Sequence, residues 1–164
     1  MARKSTQWKP AVYLDATVPS FLHDRRPSLT FQAGITRKWW RNERRKFRLY
    51  LSSETLNELA KGPYPSQGAV LRTARQVTVL SRHASLDPII RRYVAEFVMP
   101  RDHEGDAAHL AYASLYGIDF LLTWNCEHLA NANKFDHIRI VNARLGLATP
   151  EIVTPLELFE EAGV

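Results

Sequence analysis

The segment EGDAAHLAYASLYGIDFLLTW, residues 104–124, constrains the fold of this chain most strongly. Its first part has helical periodicity and many small residues, which predicts a helix that lies close to a sheet. Its second part, IDFLLTW, has the strongest strand pattern in the chain. A helix that leads directly into a strand is typical of proteins in which strands and helices alternate.

The rest of the chain repeats this alternation. Further strand patterns lie at 12–17, 47–52, 77–80 and 149–154, and helical patterns at 35–46, 53–62, 68–76, 87–98 and 134–145. EHLANAN and the terminal PLELFEEAG predict two more short helices. We therefore predict an α/β fold with a parallel sheet that helices cover on both faces.

The composition is that of one globular domain. The 164 residues are 45% hydrophobic and 24% charged, and we assign them to a single domain, 1–164, with a flexible basic segment at 1–10. No apolar run is long enough to cross a membrane, and the first residues lack the apolar core of a secretory signal. Cys126 is the only cysteine, so an intramolecular disulfide is impossible, and we expect a packed thiol. These features predict a cytoplasmic protein without a membrane partner.

Four polar residues fall near one edge of the predicted sheet. Asp15 ends the first strand, and Glu58 lies in the helix after the second strand. Asn125 directly follows IDFLLTW, and Asp106 opens the helix that leads into that strand. Ligands bind outside the carboxyl ends of the strands in open parallel sheets, so we expect these four side chains to converge.

Each of the four residues also has a structural interpretation. Asp15 is suited to a turn or a helix N-cap, and Glu58 follows Thr55 at the spacing of a capping box. Asp106 complements the dipole of its helix, and Asn125 is a good N-cap for the residues after it. These interpretations do not require the four residues to meet.

Convergence of three carboxylates predicts a metal ion. Asp15, Glu58 and Asp106 would repel one another strongly without a cation between them. Oxygen ligands suit Mg²⁺ or Mn²⁺, and such an ion activates water and stabilises negative charge on a phosphodiester.

His109 follows Asp106 by three residues and therefore lies on a similar face of the predicted helix. The segment HEGDAAH places its histidines six residues apart, which does not match the spacing of a zinc protease. We expect His109 to be a hydrogen-bonded structural histidine.

Several segments together resemble the PIN domain family, specifically the VapC-like ribonuclease toxins of bacterial type II toxin–antitoxin systems. They are VYLDATVPSFL, SSETLNELAKG, GDAAHLAYASLYGIDFLLTWNCEHLAN and TRKWW, and the resemblance extends from Val12 to IVTPLEL. The first, second and third acids of the family match Asp15, Glu58 and Asp106. The fourth position, often Asp in the family, is Asn125 here. Thr17 and Thr123 match positions whose hydroxyls support the acids.

The resemblance implies a three-layer α/β/α sandwich and an endoribonuclease that depends on Mg²⁺ or Mn²⁺. Asp15, Glu58 and Asp106 would hold the metal, and Asn125 would orient water or complete the ligand shell. The implied partners are an RNA substrate, a cognate antitoxin protein and a second copy of the chain in a homodimer. Because Asn125 departs from the family pattern, a PIN-like module that binds RNA or protein without cutting remains the alternative.

The segment TRKWWRNERRKFR, residues 36–48, is strongly basic in a chain of net charge +5. It is interpreted either as a helix with a solvated charged face or as a nucleic-acid arm. In the second case Arg41, Arg44 and Arg45 would contact phosphates while an exposed tryptophan stacks on a base. We expect at least one of Trp39 and Trp40 to lie in the core or in a dimer contact.

Overall fold

The computed structural model describes residues 8–159, apart from the side chains of His103 and Glu104. Five parallel strands form one sheet in the order β3-β2-β1-β4-β5. The strands are β1 Ala11–Leu14, β2 Arg48–Ser52, β3 Thr78–Leu80, β4 Phe120–Leu122 and β5 Glu151–Val153. The helices of this part are α1 Thr17–His23, α2 Thr30–Asn42, α3 Ser53–Ala60, α4 Gln67–Ala74, α5 Leu86–Ala95, α6 Glu104–Leu115 and α7 Phe135–Leu145.

The central strand β1 shows why the sheet needs helices on both faces. All four of its residues are buried, and neighbouring side chains point to opposite faces. Ala11 and Tyr13 belong to a core that α5, α6 and α7 complete, whereas Val12 and Leu14 belong to a second core with α1, α2 and α4. The predicted three-layer α/β/α sandwich with a parallel sheet is therefore confirmed.

The strand order places a crevice beside β1. The chain runs from β1 through β2 to β3 on one side, and then crosses to β4 on the other side of β1. Ligands bind at the carboxyl edge of such sheets where the strand order reverses. Asp15 follows β1 and Thr123 follows β4, so these two residues flank this point.

Two predicted elements have shifted boundaries. β1 ends at Leu14 rather than at residue 17, because Asp15 Oδ1 accepts the backbone N–H of Thr17 at 3.0 Å and α1 begins there. The basic helix begins earlier than predicted, at Thr30, and residues 44–46 form a separate 3-10 turn after it. At the end of β1, the side chain of Asp15 thus competes with the backbone pairing that would extend the strand.

Two predicted short helices are wrong in the described part of the chain. Residues 126–129 form a turn, in which Asn125 Oδ1 accepts the N–H of His128 and Asn131 Nδ2 donates to the carbonyl of Glu127. Residues 155–157 also form a turn, where Glu157 Oε2 accepts from the N–H and hydroxyl of Thr154. Local side-chain hydrogen bonds favour turns over helices. Residues 160–163 of the second prediction lie outside the described residues.

The remaining expectations concern exposure and the chain ends. The expectation of a packed thiol is wrong, because Cys126 is exposed. Within residues 8–159, no helix combines the length and the apolar content that crossing a bilayer requires. Residues 1–7 of the predicted basic segment 1–10 lie outside the described residues.

Candidate functional site

Asp15 is the most enclosed of the four predicted site residues. Its side chain is buried, with 3% exposure. Oδ1 accepts two hydrogen bonds from Thr17, one from the backbone N–H at 3.0 Å and one from the hydroxyl at 2.5 Å. Oδ2 accepts the hydroxyl of Thr123 at 2.5 Å. Burial raises the pKa of Asp15 above its ordinary value, and His109 and the two hydroxyls offset only part of this effect.

The two threonines fix this carboxylate to both flanking elements. Thr17 Oγ1 accepts the backbone N–H of Trp124 at 2.9 Å, and Thr123 Oγ1 accepts the backbone N–H of Asn125 at 2.9 Å. Each hydroxyl has one proton, which it donates to Asp15. The supporting role predicted for these residues agrees with these contacts, which connect the ends of β1 and β4.

Asn125 contacts Asp106 and also caps a turn. Its Nδ2 donates to both carboxylate oxygens of Asp106 at 3.0 Å, and its Oδ1 accepts the N–H of His128 at 3.1 Å. Because a backbone N–H can only donate, the second contact fixes which end of the amide faces Asp106. Asn125 therefore connects Asp106 to Asp15 through the hydroxyl of Thr123.

Glu58 reaches the same site through His109. Its Oε1 lies 3.2 Å from His109 Nε2, and the other ring nitrogen, Nδ1, lies 2.8 Å from the hydroxyl of Tyr13. Glu58 lies in the last turns of α3, so it does not close a capping box at the start of that helix. His109 is hydrogen-bonded and buried, as predicted, but its connection to Glu58 was not foreseen.

The buried imidazole and the carboxylates stabilise each other's charges. Burial opposes the charge on His109, but the contacts with Tyr13 and Glu58 and the nearby Asp15 raise the pKa of His109 well above its ordinary value. Burial alone would raise the pKa of Glu58, but the hydrogen bond and charge of His109 lower it overall. Both shifts favour the charged forms of the pair, an imidazolium on His109 and a carboxylate on Glu58.

Gly105 provides the space that the Glu58 carboxylate occupies. A Cβ atom at this position would lie 2.5 Å from Glu58 Oε1, which is closer than such atoms approach. The glycine precedes Asp106 directly, in the first turn of α6. Glu58 can therefore approach the start of α6, where Asp106 lies.

The donor chemistry of this site fits Mg²⁺ or Mn²⁺, because three carboxylates surround the switch point and hard divalent ions prefer oxygen ligands. Among the side chains that the structure describes, which exclude those of His103 and Glu104, no group of three or more His, Cys, Asp or Glu residues surrounds one ion position.

The arginines predicted to contact RNA do not lie at this edge of the sheet. Arg44 and Arg45 lie in the 3-10 turn before β2, whose first residue, Arg48, pairs with Ala11 at the start of β1. Arg41 lies in the last turn of α2, just before them. The length of a four-residue strand, about 13 Å, separates this amino edge from Asp15. Of the predicted site residues, the three acids, Asn125 and the two supporting threonines come together, and the three arginines do not.

The two tryptophans of this basic segment differ in burial. Trp39 is fully buried in the core, and its Nε1 donates to the carbonyl of Leu158 at 2.7 Å. Trp40 is half-buried, and the guanidinium of Arg44 lies 5.0 Å from its ring centroid. The expectation that at least one tryptophan belongs to the core is confirmed.

A basic cleft that sequence reasoning missed opens beside the site. Its volume is about 1530 Å³, and Thr17 and Glu58 lie at its site end. Three arginines line it: Arg25, Arg26 and Arg37. Asp24 pairs with Arg26 at 2.6 Å, whereas no carboxylate that the structure describes forms an ion pair with Arg25 or Arg37. The signal in the sequence was HDRR at 23–26, directly after the first helix.

No protein-family model matches this chain, and no curated protein is detectably similar to it in sequence. Functional inference for the chain therefore depends on its own residues and on their geometry.

Proposed function

We propose that this chain is a Mg²⁺- or Mn²⁺-dependent endoribonuclease of the PIN-like kind that its motifs resemble. The single observation that supports this proposal is the network at the switch point of the sheet. Asp15, Asp106 and Asn125 belong to one set of contacts through Thr123. Glu58 is linked to this set through His109, whose ring contacts Glu58 and whose charge acts on Asp15.

Asp15, Glu58 and Asp106 would hold the ion, since their oxygen atoms are the ligands that Mg²⁺ and Mn²⁺ prefer. The bound ion would activate water and neutralise charge on the scissile phosphodiester. Thr17 and Thr123 keep the Asp15 carboxylate in one orientation. Asn125 holds Asp106 by both oxygens and would also orient water.

The cleft supports a polymeric and anionic substrate. Its volume of about 1530 Å³ exceeds the range of about 300–1,000 Å³ that small-molecule pockets occupy. No described carboxylate forms an ion pair with Arg25 or Arg37, although Arg37 donates to the backbone carbonyl of Asp24 at 3.2 Å, so both positive charges can attract phosphates. A single RNA strand in this cleft would pass Thr17 and Glu58 at its site end.

The direct test is cleavage of single-stranded and structured RNAs with Mn²⁺, with Mg²⁺ or with EDTA. We expect cleavage with either ion and none with EDTA. Cleavage that persists in EDTA would contradict the proposal. So would the absence of cleavage of every RNA tested with either ion. The implied antitoxin and the implied homodimer are separate proposals. Co-purification with the product of a neighbouring gene tests the antitoxin. Analytical ultracentrifugation tests the homodimer.

The arginines of the cleft should carry the salt dependence of RNA binding. Each phosphate contact with single-stranded RNA contributes a slope of about 0.7 log units of affinity per log unit of salt. Arg25→Gln with Arg37→Gln should therefore flatten this slope by about 1.4. Binding is measured by fluorescence anisotropy with the Asp15→Asn variant as background, so that the RNA stays intact.

The chain offers a charge-matched control for this measurement. Arg44→Gln with Arg45→Gln removes the same two charges at the amino edge of the sheet, and we expect the parental slope. Equal flattening by both double variants would show that net charge, rather than the cleft, binds RNA. Flattening by the control alone would assign the RNA contact to Arg44 and Arg45 at the amino edge of the sheet.

Asn125→Asp should destabilise the metal-free protein and strengthen its binding of Mn²⁺. The variant loses the amide donor to Asp106 and places two carboxylates side by side, which should lower the unfolding free energy by about 1 kcal/mol or more. A fourth carboxylate should also tighten Mn²⁺ binding. Thermal unfolding in EDTA and calorimetric titration measure the two effects. An unchanged Mn²⁺ affinity would leave Asn125 with its capping role alone.

The second candidate is a PIN-like module that binds RNA without cutting it. One observation favours it: the position that is often Asp in the family holds the neutral amide of Asn125, which donates to Asp106. RNA binding that depends on Arg25 and Arg37, without cleavage in Mn²⁺ or Mg²⁺, would identify this function.

A further inference from the structure

His109 forms the centre of a buried polar relay beneath the candidate site. It is 1% exposed, and its two ring nitrogens contact Tyr13 on β1 and Glu58 on α3. We infer that His109 is a positioning residue, which holds the Glu58 carboxylate in the place where the proposed ion requires it. This inference rests on the proposed function, because it concerns one of the expected metal ligands.

The direction of the hydrogen bonds follows from the chemistry of the partners. A carboxylate can only accept, so His109 Nε2 carries a proton and donates it to Glu58 Oε1. Nδ1 faces the hydroxyl of Tyr13, which can donate to a neutral imidazole or accept from a charged one. The contact with Glu58 is therefore the same in both charge states of the ring.

Tyr13 is itself fixed, so the relay is anchored in the sheet. Its hydroxyl lies 2.7 Å from Ser52 Oγ and 3.2 Å from Thr55 Oγ1. Thr55 in turn donates to the carbonyl of Leu14 at 3.2 Å. Because Tyr13 belongs to the central strand, the position of the His109 ring follows from the backbone of the sheet.

Glu58 needs such an anchor more than the other acids do. Two threonines hold Asp15, and Asn125 holds both oxygens of Asp106. The side chain of Glu58 is 33% exposed and has three rotatable bonds, so ordering it costs conformational entropy. His109 provides the buried donor that selects the rotamer for which Gly105 leaves space.

Two amide substitutions separate the two ring nitrogens. His109→Gln places an amide N–H near the position of Nε2 and keeps a donor to Glu58. His109→Asn places its amide near Nδ1 and keeps only the side that faces Tyr13. Loss of a residue that orients a metal ligand typically weakens metal binding 10- to 100-fold. We expect Mn²⁺ affinity to fall at least about tenfold in His109→Asn and no more than about threefold in His109→Gln.

A double-mutant cycle tests whether His109 acts through Glu58. In a Glu58→Gln background, His109→Asn should weaken Mn²⁺ binding no further, because the group that it positions has already lost its charge. Calorimetric titration measures all four variants, and circular dichroism checks that each is folded. Two results would make His109 a purely structural residue. One is an equal loss of Mn²⁺ affinity in His109→Gln and His109→Asn. The other is that His109→Asn weakens Mn²⁺ binding as much in the Glu58→Gln background as in the parent.

A metal-free measurement separates this inference from the proposed function. The Nε2–H signal of His109 in a proton–nitrogen NMR spectrum should shift strongly on Glu58→Gln. It should stay in place on Glu54→Gln, a control on the same helix whose carboxylate pairs with Arg82. If the parent binds no Mn²⁺, the metal proposal fails while this shift still supports the positioning of Glu58. An unmoved signal in Glu58→Gln overturns the inference whatever the metal result.

Discussion

Asp15→Asn should reduce metal-dependent RNA cleavage at least about a hundredfold while the protein stays folded. The substitution removes a charged ligand and preserves the volume of a side chain that is 3% exposed. Even residues that only orient metal ligands cost 10- to 100-fold when they are lost, so a direct ligand should cost more. Asp106→Asn should have the same effect. Cleavage rates with saturating Mn²⁺ measure it.

Asp119→Asn is the matched control for this prediction. Asp119 Oδ2 accepts the N–H of Ala11 at 2.7 Å, at the opposite edge of the sheet from Asp15. We expect this variant to cleave RNA at the parental rate. Parental rates in both Asp15→Asn and Asp106→Asn would overturn the assignment of the site, and a loss in the Asp119 variant would show a general effect of folding.

The same Asp15→Asn variant should be at least as stable as the parent in EDTA at pH 7. Burial raises the pKa of Asp15, so the folded protein favours the neutral carboxyl. The parent therefore loses stability as pH rises from the ordinary value of about 3.9 through the raised pKa. Asn is neutral throughout, so its advantage should shrink as the pH falls towards 4. Thermal unfolding at the two pH values measures this, and an advantage independent of pH would contradict it.

Trp39→Ala should lower the unfolding free energy by about 3 to 5 kcal/mol, the usual cost of removing a fully buried aromatic side chain. Trp39 has 0% exposure, stacks on Phe47 with ring centroids 5.9 Å apart, and donates to the carbonyl of Leu158. The variant would also leave this carbonyl without its indole partner. Unfolding in urea measures the change.

The neighbouring Trp40 is the control for this substitution. Trp40 is half-buried and stacks with Arg44, so Trp40→Ala removes a cation–π contact and less buried surface. We expect a clearly smaller loss of unfolding free energy. Equal losses in the two variants would mean that both rings stabilise the domain to the same extent, contrary to their burial.

The order of the long elements could be predicted from the sequence because their signals are local. The buried run around Val12 and the small-residue helix before IDFLLTW have the periodicity of their final structure. Turns were harder to predict. Asn131 and Glu157 form hydrogen bonds with backbone groups a few residues away, and these contacts replaced two predicted helices.

The candidate site was predictable only in part. Sequence alone placed Asp15 and Asn125 after strands, and the carboxyl ends of parallel strands share one edge of the sheet. It did not indicate that Arg41, Arg44 and Arg45 would lie at the other edge, because the direction in which α2 crosses the sheet is a tertiary property. For the same reason it missed Arg25 and Arg37, which come beside the site only when the helices pack.

The sequence by itself determined the types of residue at the site and the strands that carry them, because burial patterns and strand ends are properties of neighbouring residues. Only the tertiary structure decided which side chains meet. Asp15 and Thr123 are 108 residues apart in the chain, and Tyr13 and His109 are 96 residues apart. Hydrogen bonds over such separations depend on how β4 and α6 pack against β1, and no local pattern encodes that packing.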